Sequence, residues 1–367
     1  MPLLYQHLNH LTHPEGHRNA VTAVEFSPNG RQLASAGLDG RVCIWDVKAG
    51  TLLYVFSGQS AILSLLWLES DERLICGMED GTIATFTICA KRVHLEGFFA
   101  HRYPVERLAF DGTYLASGAH KEVKVWACVH EGSWRQVADL RAPRRSSYTT
   151  ECDIIVTSLH WTSNPSHPLV LLVTYLNHGV AAFDGRTWAR IGGTALPGCI
   201  ADASLTKDGR ILAVSNMLTG FELFSLKGFV ELEPLFAFQQ DVERGGTLHG
   251  KVNMWDIYSR LKQPLALDNG VSVLALGAHY DDETDDFFIA TGIFNPRSPC
   301  SIVLWKTKES RKRRRASASS TLGDNGARPG RQWCMFAGLL VLGTCLGWLI
   351  AATSTYRGVG ADGRRLM

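Results

Sequence analysis

Residues 16–47 read GHRNAVTAVEFSPNGRQLASAGLDGRVCIWDV. Within this stretch, LASAGLDGRVCIWD consists of two runs of apolar residues separated by Asp39-Gly40. An Asp-Gly pair between two such runs is typical of a tight hairpin turn, and the runs themselves are typical of strands. The stretch therefore predicts a strand–turn–strand unit, preceded by Gly16-His17 and ended by Trp45-Asp46.

Weaker copies of this unit recur along the first 307 residues. Each copy ends in an aromatic anchor, and the seven anchors are Trp45, Phe86, Trp126, Phe183, Phe224, Trp255 and Trp305. Successive anchors are 41, 40, 57, 41, 31 and 50 residues apart. Four-stranded repeats that form the blades of a propeller take about 40–45 residues. The spacing therefore predicts an all-β fold of seven blades.

The unit from His17 to Trp45 closely resembles the WD40 repeat. The resemblance implies a seven-bladed WD40-type β-propeller over residues 1–307. It also implies a hydrogen-bonded chain of a histidine, a strand hydroxyl, a turn aspartate and a tryptophan, matched by His17, Ser35, Asp39 and Trp45. A blade buries both faces, so its polar side chains must be satisfied internally. We therefore expect these four residues to be structural, not catalytic.

Three intervals depart from the regular spacing. The 57-residue interval contains the basic, hydroxyl-rich residues 141–153, which we interpret as an exposed loop. The 31-residue interval between Phe224 and Trp255 is too short for a full blade, so either this blade has lost a strand or the sequence lacks a piece. The 50-residue interval holds YDDETDDFF (280–288), which lacks the spacing and turn glycine of a calcium loop and favours a solvated loop.

A propeller avoids an open sheet edge by building its last blade from both ends of the chain. Residues 3–8 (LLYQHL) are strand-like and precede the first Gly-His. They are therefore predicted to complete the blade that contains Trp305.

Charge and hydropathy divide the rest of the chain. Residues 1–307 carry a net charge of −6, which argues against nucleic-acid binding, whereas residues 308–332 carry +6 and predict a basic, disordered linker. Residues 333–356 have no charged side chain, and the twenty from Trp333 to Ala352 are long enough to cross a bilayer as a helix. Residues 357–367 form a short tail. The domain prediction is thus propeller, linker, transmembrane helix and tail.

The basic residues on the propeller side of the predicted span outnumber those in the tail, which predicts that the propeller faces the cytosol. The layout is that of a tail-anchored, single-pass membrane protein, with the endoplasmic reticulum or another endomembrane as the expected location. In the linker, Arg314-Arg315-Ala316-Ser317 resembles a basophilic kinase site, and topogenic charge without regulation is the simpler interpretation.

No known arrangement of catalytic residues is visible, so we predict a protein that is not an enzyme and that has no cofactor or small-molecule substrate. His7, His10, His13 and His17 lack the acidic or cysteine partners of a metal site, and no metal is expected. The WD40 resemblance implies a membrane-anchored scaffold that binds other proteins. The alternative is a guanine-nucleotide exchange factor for a small GTPase in vesicle traffic, because one such factor of the endoplasmic reticulum shares the layout of cytosolic propeller and C-terminal span.

Overall fold

A computed structural model of the 367-residue chain describes most of the first 308 residues. The described ranges are 4–89, 92–130, 133–143, 154–206, 208–227, 231–238, 251–255, 262–267, 271–295 and 300–308. All regular secondary structure in these ranges is β-strand, which confirms the all-β prediction.

Twenty consecutive strands form five antiparallel four-stranded blades, in which each strand pairs with the next along the chain. The first blade contains β2 (Val21–Phe26), β3 (Gln32–Gly37), β4 (Arg41–Asp46) and β5 (Thr51–Ser57). The second contains β6 (Ile62–Trp67), β7 (Arg73–Met78), β8 (Thr82–Cys89) and β9 (Arg92–Phe99). The third contains β10 (Arg107–Phe110), β11 (Tyr114–Ala119), β12 (Glu122–His130) and β13 (Ser133–Leu140). The fourth contains β14 (Val156–Thr162), β15 (Val170–Tyr175), β16 (Gly179–Asp184) and β17 (Arg190–Thr194). The fifth contains β18 (Ile200–Leu205), β19 (Ile211–Asn216), β20 (Gly220–Lys227) and β21 (Glu231–Phe238).

The closing blade combines the two ends of the propeller. Its strands are β24 (Ser272–Asp281), β25 (Asp286–Phe294) and β26 (Ser301–Thr307), with the N-terminal β1 (Tyr5–Leu11) as its outer strand. Strand β1 runs antiparallel to β26, with Tyr5 opposite Thr307 and Leu11 opposite Ile302. The predicted closure is confirmed, although β1 begins and ends later than the segment 3–8.

The prediction of seven blades is wrong for the described residues, which form six four-stranded blades. Between the fifth and closing blades lies a two-stranded hairpin made of β22 (Lys251–Trp255) and β23 (Lys262–Ala266). The physical reason is the short anchor spacing noted above, because 31 residues cannot supply four strands with their turns. The anchor Trp255 thus ends a hairpin strand and not a complete blade.

The first strands of neighbouring blades lie against each other, so these strands surround the propeller axis. The core is divided into apolar clusters that fill the spaces between blades. One cluster joins the closing and first blades through Leu11, Val24 and Trp45, and further clusters join each later blade to its neighbour up to the fifth. Burial on this scale stabilises the fold at roughly 25 cal/mol for each Å² of apolar surface.

The predicted linker, transmembrane helix, tail and Ser317 lie outside the described residues, as do residues 144–153 of the predicted exposed loop. Within the ranges that the structure covers, no helix has the length and apolar character needed to cross a membrane.

Candidate functional site

The four residues predicted for the first blade lie together in a chain of hydrogen bonds. The indole Nε1 of Trp45 donates to Ser35 Oγ at 2.9 Å, and Ser35 Oγ lies 2.8 Å from His17 Nε2. On the other side of the imidazole, His17 Nδ1 lies 3.2 Å from Asp39 Oδ1. An indole can only donate, so Ser35 accepts from Trp45 and donates to Nε2, and Nδ1–H faces the carboxylate.

Asp39 also fixes the turn between β3 and β4. Its carboxylate accepts the backbone N–H of Arg18 at 2.6 Å and that of Arg41 at 3.1 Å. Burial acts to raise the pKa of Asp39, but the hydrogen bonds from His17 and the two amides outweigh burial, and the pKa lies below its ordinary value. The carboxylate therefore stays ionised and holds three segments together, which is a structural duty.

The third blade contains an equivalent chain. Trp126 Nε1 donates to Ser117 Oγ at 2.8 Å, and Ser117 Oγ lies 2.7 Å from His101 Nε2. His101 Nδ1 is 3.0 Å from Glu122 Oε2, and the ammonium of Lys124 lies 3.7 Å from the same oxygen. Burial lowers the pKa of His101 to about 4 against the opposing effect of Glu122, so the imidazole is neutral at physiological pH.

Glu122 was not among the predicted residues because the turn of the third blade is one residue shorter than that of the first. Nine residues separate Ser117 from Trp126, whereas ten separate Ser35 from Trp45, and Lys121 therefore occupies the place that corresponds to Asp39. Glu122 is the first residue of β12 and supplies the carboxylate instead. An acidic residue about 21 positions after the histidine is the sequence signal that identifies both chains of hydrogen bonds.

Comparison with known proteins agrees with this geometry. A family model described as "WD domain, G-beta repeat" matches residues 8–46, the segment that contains the first chain of hydrogen bonds. The chain carries a WD40 repeat. The β-propeller domain of Myceliophteria thermophila Cps50 (Swd1) superimposes with a TM-score of 0.63 at 17% identity, over 83% of this chain and 99% of that domain.

Several known proteins are similar to this chain over parts of their length. WD repeat-containing protein 90 of Mus musculus is 31% identical over 112 residues, which cover 28% of this chain and 6% of the relative. Target of rapamycin complex subunit wat1 of Schizosaccharomyces pombe is 25% identical over 142 residues, 38% of this chain and 45% of the relative. The chain thus spans less than half the length of these relatives. WD40 propellers generally act as non-enzymatic interaction scaffolds, and no feature of the described residues indicates catalysis.

Polar side chains connect the first strands of neighbouring blades, which form the inner ring of the propeller. Four consecutive first strands each donate a side-chain hydrogen bond to a backbone carbonyl of the next blade: Thr22 to Ile62, Ser64 to Val105, Arg107 to Thr157 and His160 to Ala203. Burial raises the pKa of Glu25 to about 8 and, against the attraction of Arg107, that of Asp202 to about 6. Glu25 is therefore mostly protonated near neutral pH, whereas Asp202 is mostly ionised and is attracted by Arg107, an arrangement that fits a structural role.

The turns between the second and third strands of the blades lie on one face of the disc, here called the turn face. In the fifth blade this turn exposes Met217 and Leu218, whose exposed fractions are 43% and 69%. The buried Asn216 fixes the turn, because its Oδ1 accepts the Leu218 N–H at 3.0 Å and its Nδ2 donates to Pro197 O at 2.8 Å. The backbone that carries these two exposed apolar side chains is thus fixed.

The corresponding turns of the fourth and third blades lie on the same face. The Met217 N–H donates to the carbonyl of Cys199, whose thiol lies 3.1 Å from the Asn177 side chain in the turn of the fourth blade. In the third blade, Tyr103 stacks on His120 of the β11–β12 turn with ring centres 4.8 Å apart. We call Met217, Leu218, Tyr103 and His120 the turn-face patch.

The remaining residues considered for metal binding lie apart. His7 packs edge-on against Trp305, His10 Nε2 is 2.6 Å from Ser301 Oγ, and His17 belongs to the first blade's chain. The acidic residues at 281–286 form the β24–β25 turn, in which Asp281 accepts hydrogen bonds from Thr284. Among the described residues no group of three or more potential ligands converges.

Proposed function

We propose that this chain is a membrane-anchored, non-enzymatic scaffold that binds partner proteins on the turn face of its propeller. The observation that carries the proposal is the exposed pair Met217-Leu218 on a turn fixed by a buried asparagine. A turn that is already ordered loses little conformational entropy when a partner binds, so exposed apolar side chains on such a turn favour association.

The position of Leu218 supports a role in binding. Leu218 follows Val214 by four residues, just as Asp39 follows Ser35, so a leucine stands where the first blade has its structural aspartate. A turn exposed to water does not require a leucine for folding. Apolar surface that the fold does not use is typical of a contact for another protein.

The membrane anchor is the second part of the proposal and is supported by the sequence. The uncharged stretch 333–356 follows a linker of net charge +6, and the excess of basic residues on the propeller side favours a cytosolic propeller. Tethering would raise the local concentration of captured partners at an endomembrane. No specific observation favours the exchange-factor alternative.

Proximity labelling in intact cells tests the binding face. The full chain is compared with its Met217→Ser/Leu218→Ser variant and with Leu95→Ser as a matched control, because Leu95 is 56% exposed on the outer strand β9. We expect the turn variant to lose at least tenfold in the labelling of a set of proteins that the control retains. Equal labelling by all three proteins contradicts a partner site on the turn face.

The anchor is tested separately by alkaline extraction of membranes. We expect the full chain to remain in the membrane pellet and a chain that ends at residue 307 to be recovered in the supernatant. Recovery of the full chain in the supernatant contradicts the anchor without affecting the scaffold role.

A further inference from the structure

The hairpin between the fifth and closing blades corresponds to the outer half of a blade. Strand β22 ends at Trp255 and pairs with the following strand, as β4 ends next to Trp45 and pairs with β5. In each complete blade the third strand has a partner on both sides. Within the described residues, β22 pairs only with β23.

The chain before β22 is too short to supply the inner half. The outer strand of one blade and the third strand of the next are separated by 24 residues in the second blade (58–81), 22 in the third (100–121) and 25 in the fifth (195–219). Only 12 residues, 239–250, lie between β21 and β22. Two strands of about six residues with their connections do not fit into this length.

The apolar clusters of the core also single out the space between the fifth blade and the hairpin. Every other pair of neighbouring blades shares an apolar cluster, and the hairpin shares one with the closing blade through Val252 and Leu265. Among the described residues, no apolar cluster joins the hairpin to the fifth blade. The inner half of a blade would contribute to such a cluster, so the described residues contain neither the strands nor their packing on this side of the hairpin.

The backbone of β22 identifies the edge that faces this gap. Asn253 lies opposite Pro264, and proline has no N–H, so these two residues form a pair that exchanges no hydrogen bonds. The N–H and C=O of Asn253 must therefore point away from β23. They lie on the side of β22 where the described residues contain no partner strand, and this side is called the free edge of β22.

We propose, building on the scaffold role, that a partner protein completes this blade by donating a β-hairpin to the edge of β22. Such strand addition obtains affinity from main-chain hydrogen bonds and specificity from alternate side chains. The inner strands of this propeller, such as VTAVEF and ILSLLW, are mostly apolar and contain one or two polar residues. The donated hairpin should share this pattern, because it must pack against neighbours on both faces.

Hydrogen exchange of the full chain in detergent micelles gives the first test. We expect the amide of Asn253 to exchange at least a hundredfold faster than that of Cys43 in the middle of β4. Equal protection would mean that the edge is already filled within the chain and would overturn the proposal. A transcript that encodes about a dozen further residues between 238 and 251 would overturn it as well.

A synthetic peptide of residues 19–40 serves as the probe, because it contains the β2–β3 hairpin that pairs with β4. We expect the peptide to bind the full chain, as measured by fluorescence anisotropy, and to slow exchange at Asn253 at least tenfold. Asn253→Pro should abolish binding, since it removes the donor at the free edge and leaves the bonds between β22 and β23 intact. Asn253→Ala is the matched control and should bind within twofold of the natural chain.

Peptide binding that is equally strong with Asn253→Pro would overturn the proposal. A full chain that is dimeric in solution and becomes monomeric with Asn253→Pro would identify a second copy as the occupant and overturn it too. In the labelling experiment, Asn253→Pro should lose partners. If it keeps them while the Met217→Ser/Leu218→Ser variant loses them, the hairpin proposal fails and the scaffold function stands.

Discussion

Blades anchored by tryptophan differ from blades anchored by phenylalanine in one buried position. That position lies in the second strand, two residues after the one that pairs with the anchor. It holds a hydroxyl in the blades with Trp45, Trp126 and Trp305, namely Ser35, Ser117 and Thr291. It holds Cys76, Val173 and Val214 in the blades with Phe86, Phe183 and Phe224. A buried indole N–H needs a hydrogen-bond acceptor and a phenyl ring does not. Blades with a phenylalanine anchor therefore have no hydroxyl at this position.

The closing blade shows that a tryptophan anchor and a hydroxyl at this position do not by themselves complete the chain of hydrogen bonds. Thr291 donates its hydroxyl hydrogen to the carbonyl of Val303, and the buried Nε1 of Trp305 has no hydrogen-bond partner among the described residues. The first and third blades differ from it because each supplies a histidine that orients the serine. Among the described residues, the complete chain of hydrogen bonds occurs where a histidine accompanies a serine.

The largest effect is expected from removing the hydroxyl in the first blade. Ser35→Val leaves the Trp45 N–H and His17 Nε2 buried without partners, at a cost of about 1–3 kcal/mol for each group. We expect a loss of about 3 kcal/mol, measured as a lower urea midpoint of the full chain. Adding Trp45→Phe imitates the phenylalanine-anchored blades and should recover about 1 kcal/mol. A double variant that is less stable than Ser35→Val would contradict the link between anchor and hydroxyl.

The third blade should make stability depend on pH. The pKa of His101 is about 4 in the folded protein, below its ordinary value of about 6.5, so the unfolded chain binds more protons between these values. The stabilisation is complete above pH 6.5 and is lost as the pH falls toward 4, by on the order of 2–3 kcal/mol. His101→Gln should flatten the pH dependence of the thermal midpoint in this window. An unchanged slope would show that His101 is not responsible.

The strands and the closure could be predicted because they depend on local signals, whereas the first chain of hydrogen bonds was implied by the WD40 resemblance. Asp39-Gly40 defines its own turn, and residues 3–8 are strand-like without reference to a partner strand. Glu122 was not predicted because the turn of the third blade is one residue shorter, so the carboxylate belongs to the first residue of β12 and not to the turn. The turn-face patch was also missed, since the exposure of Leu218 depends on how Asn216 is held by Pro197. The count of seven blades failed because an anchor such as Trp255 marks the third strand but not the first two.

The smallest effect on stability should come from replacing the carboxylates that end the two chains of hydrogen bonds. Asp39 accepts two backbone amides in addition to His17, whereas Glu122 is one-fifth exposed and shares its charge with Lys124. We therefore expect Asp39→Asn to lower stability by about 1 kcal/mol and Glu122→Gln by about 0.5 kcal/mol, since solvent screens the more exposed pair. Urea midpoints measured at pH 7 compare the two variants directly. A larger loss for Glu122→Gln would mean that the charge beside the histidine, and not the fixing of the turn, is the main contribution of these carboxylates.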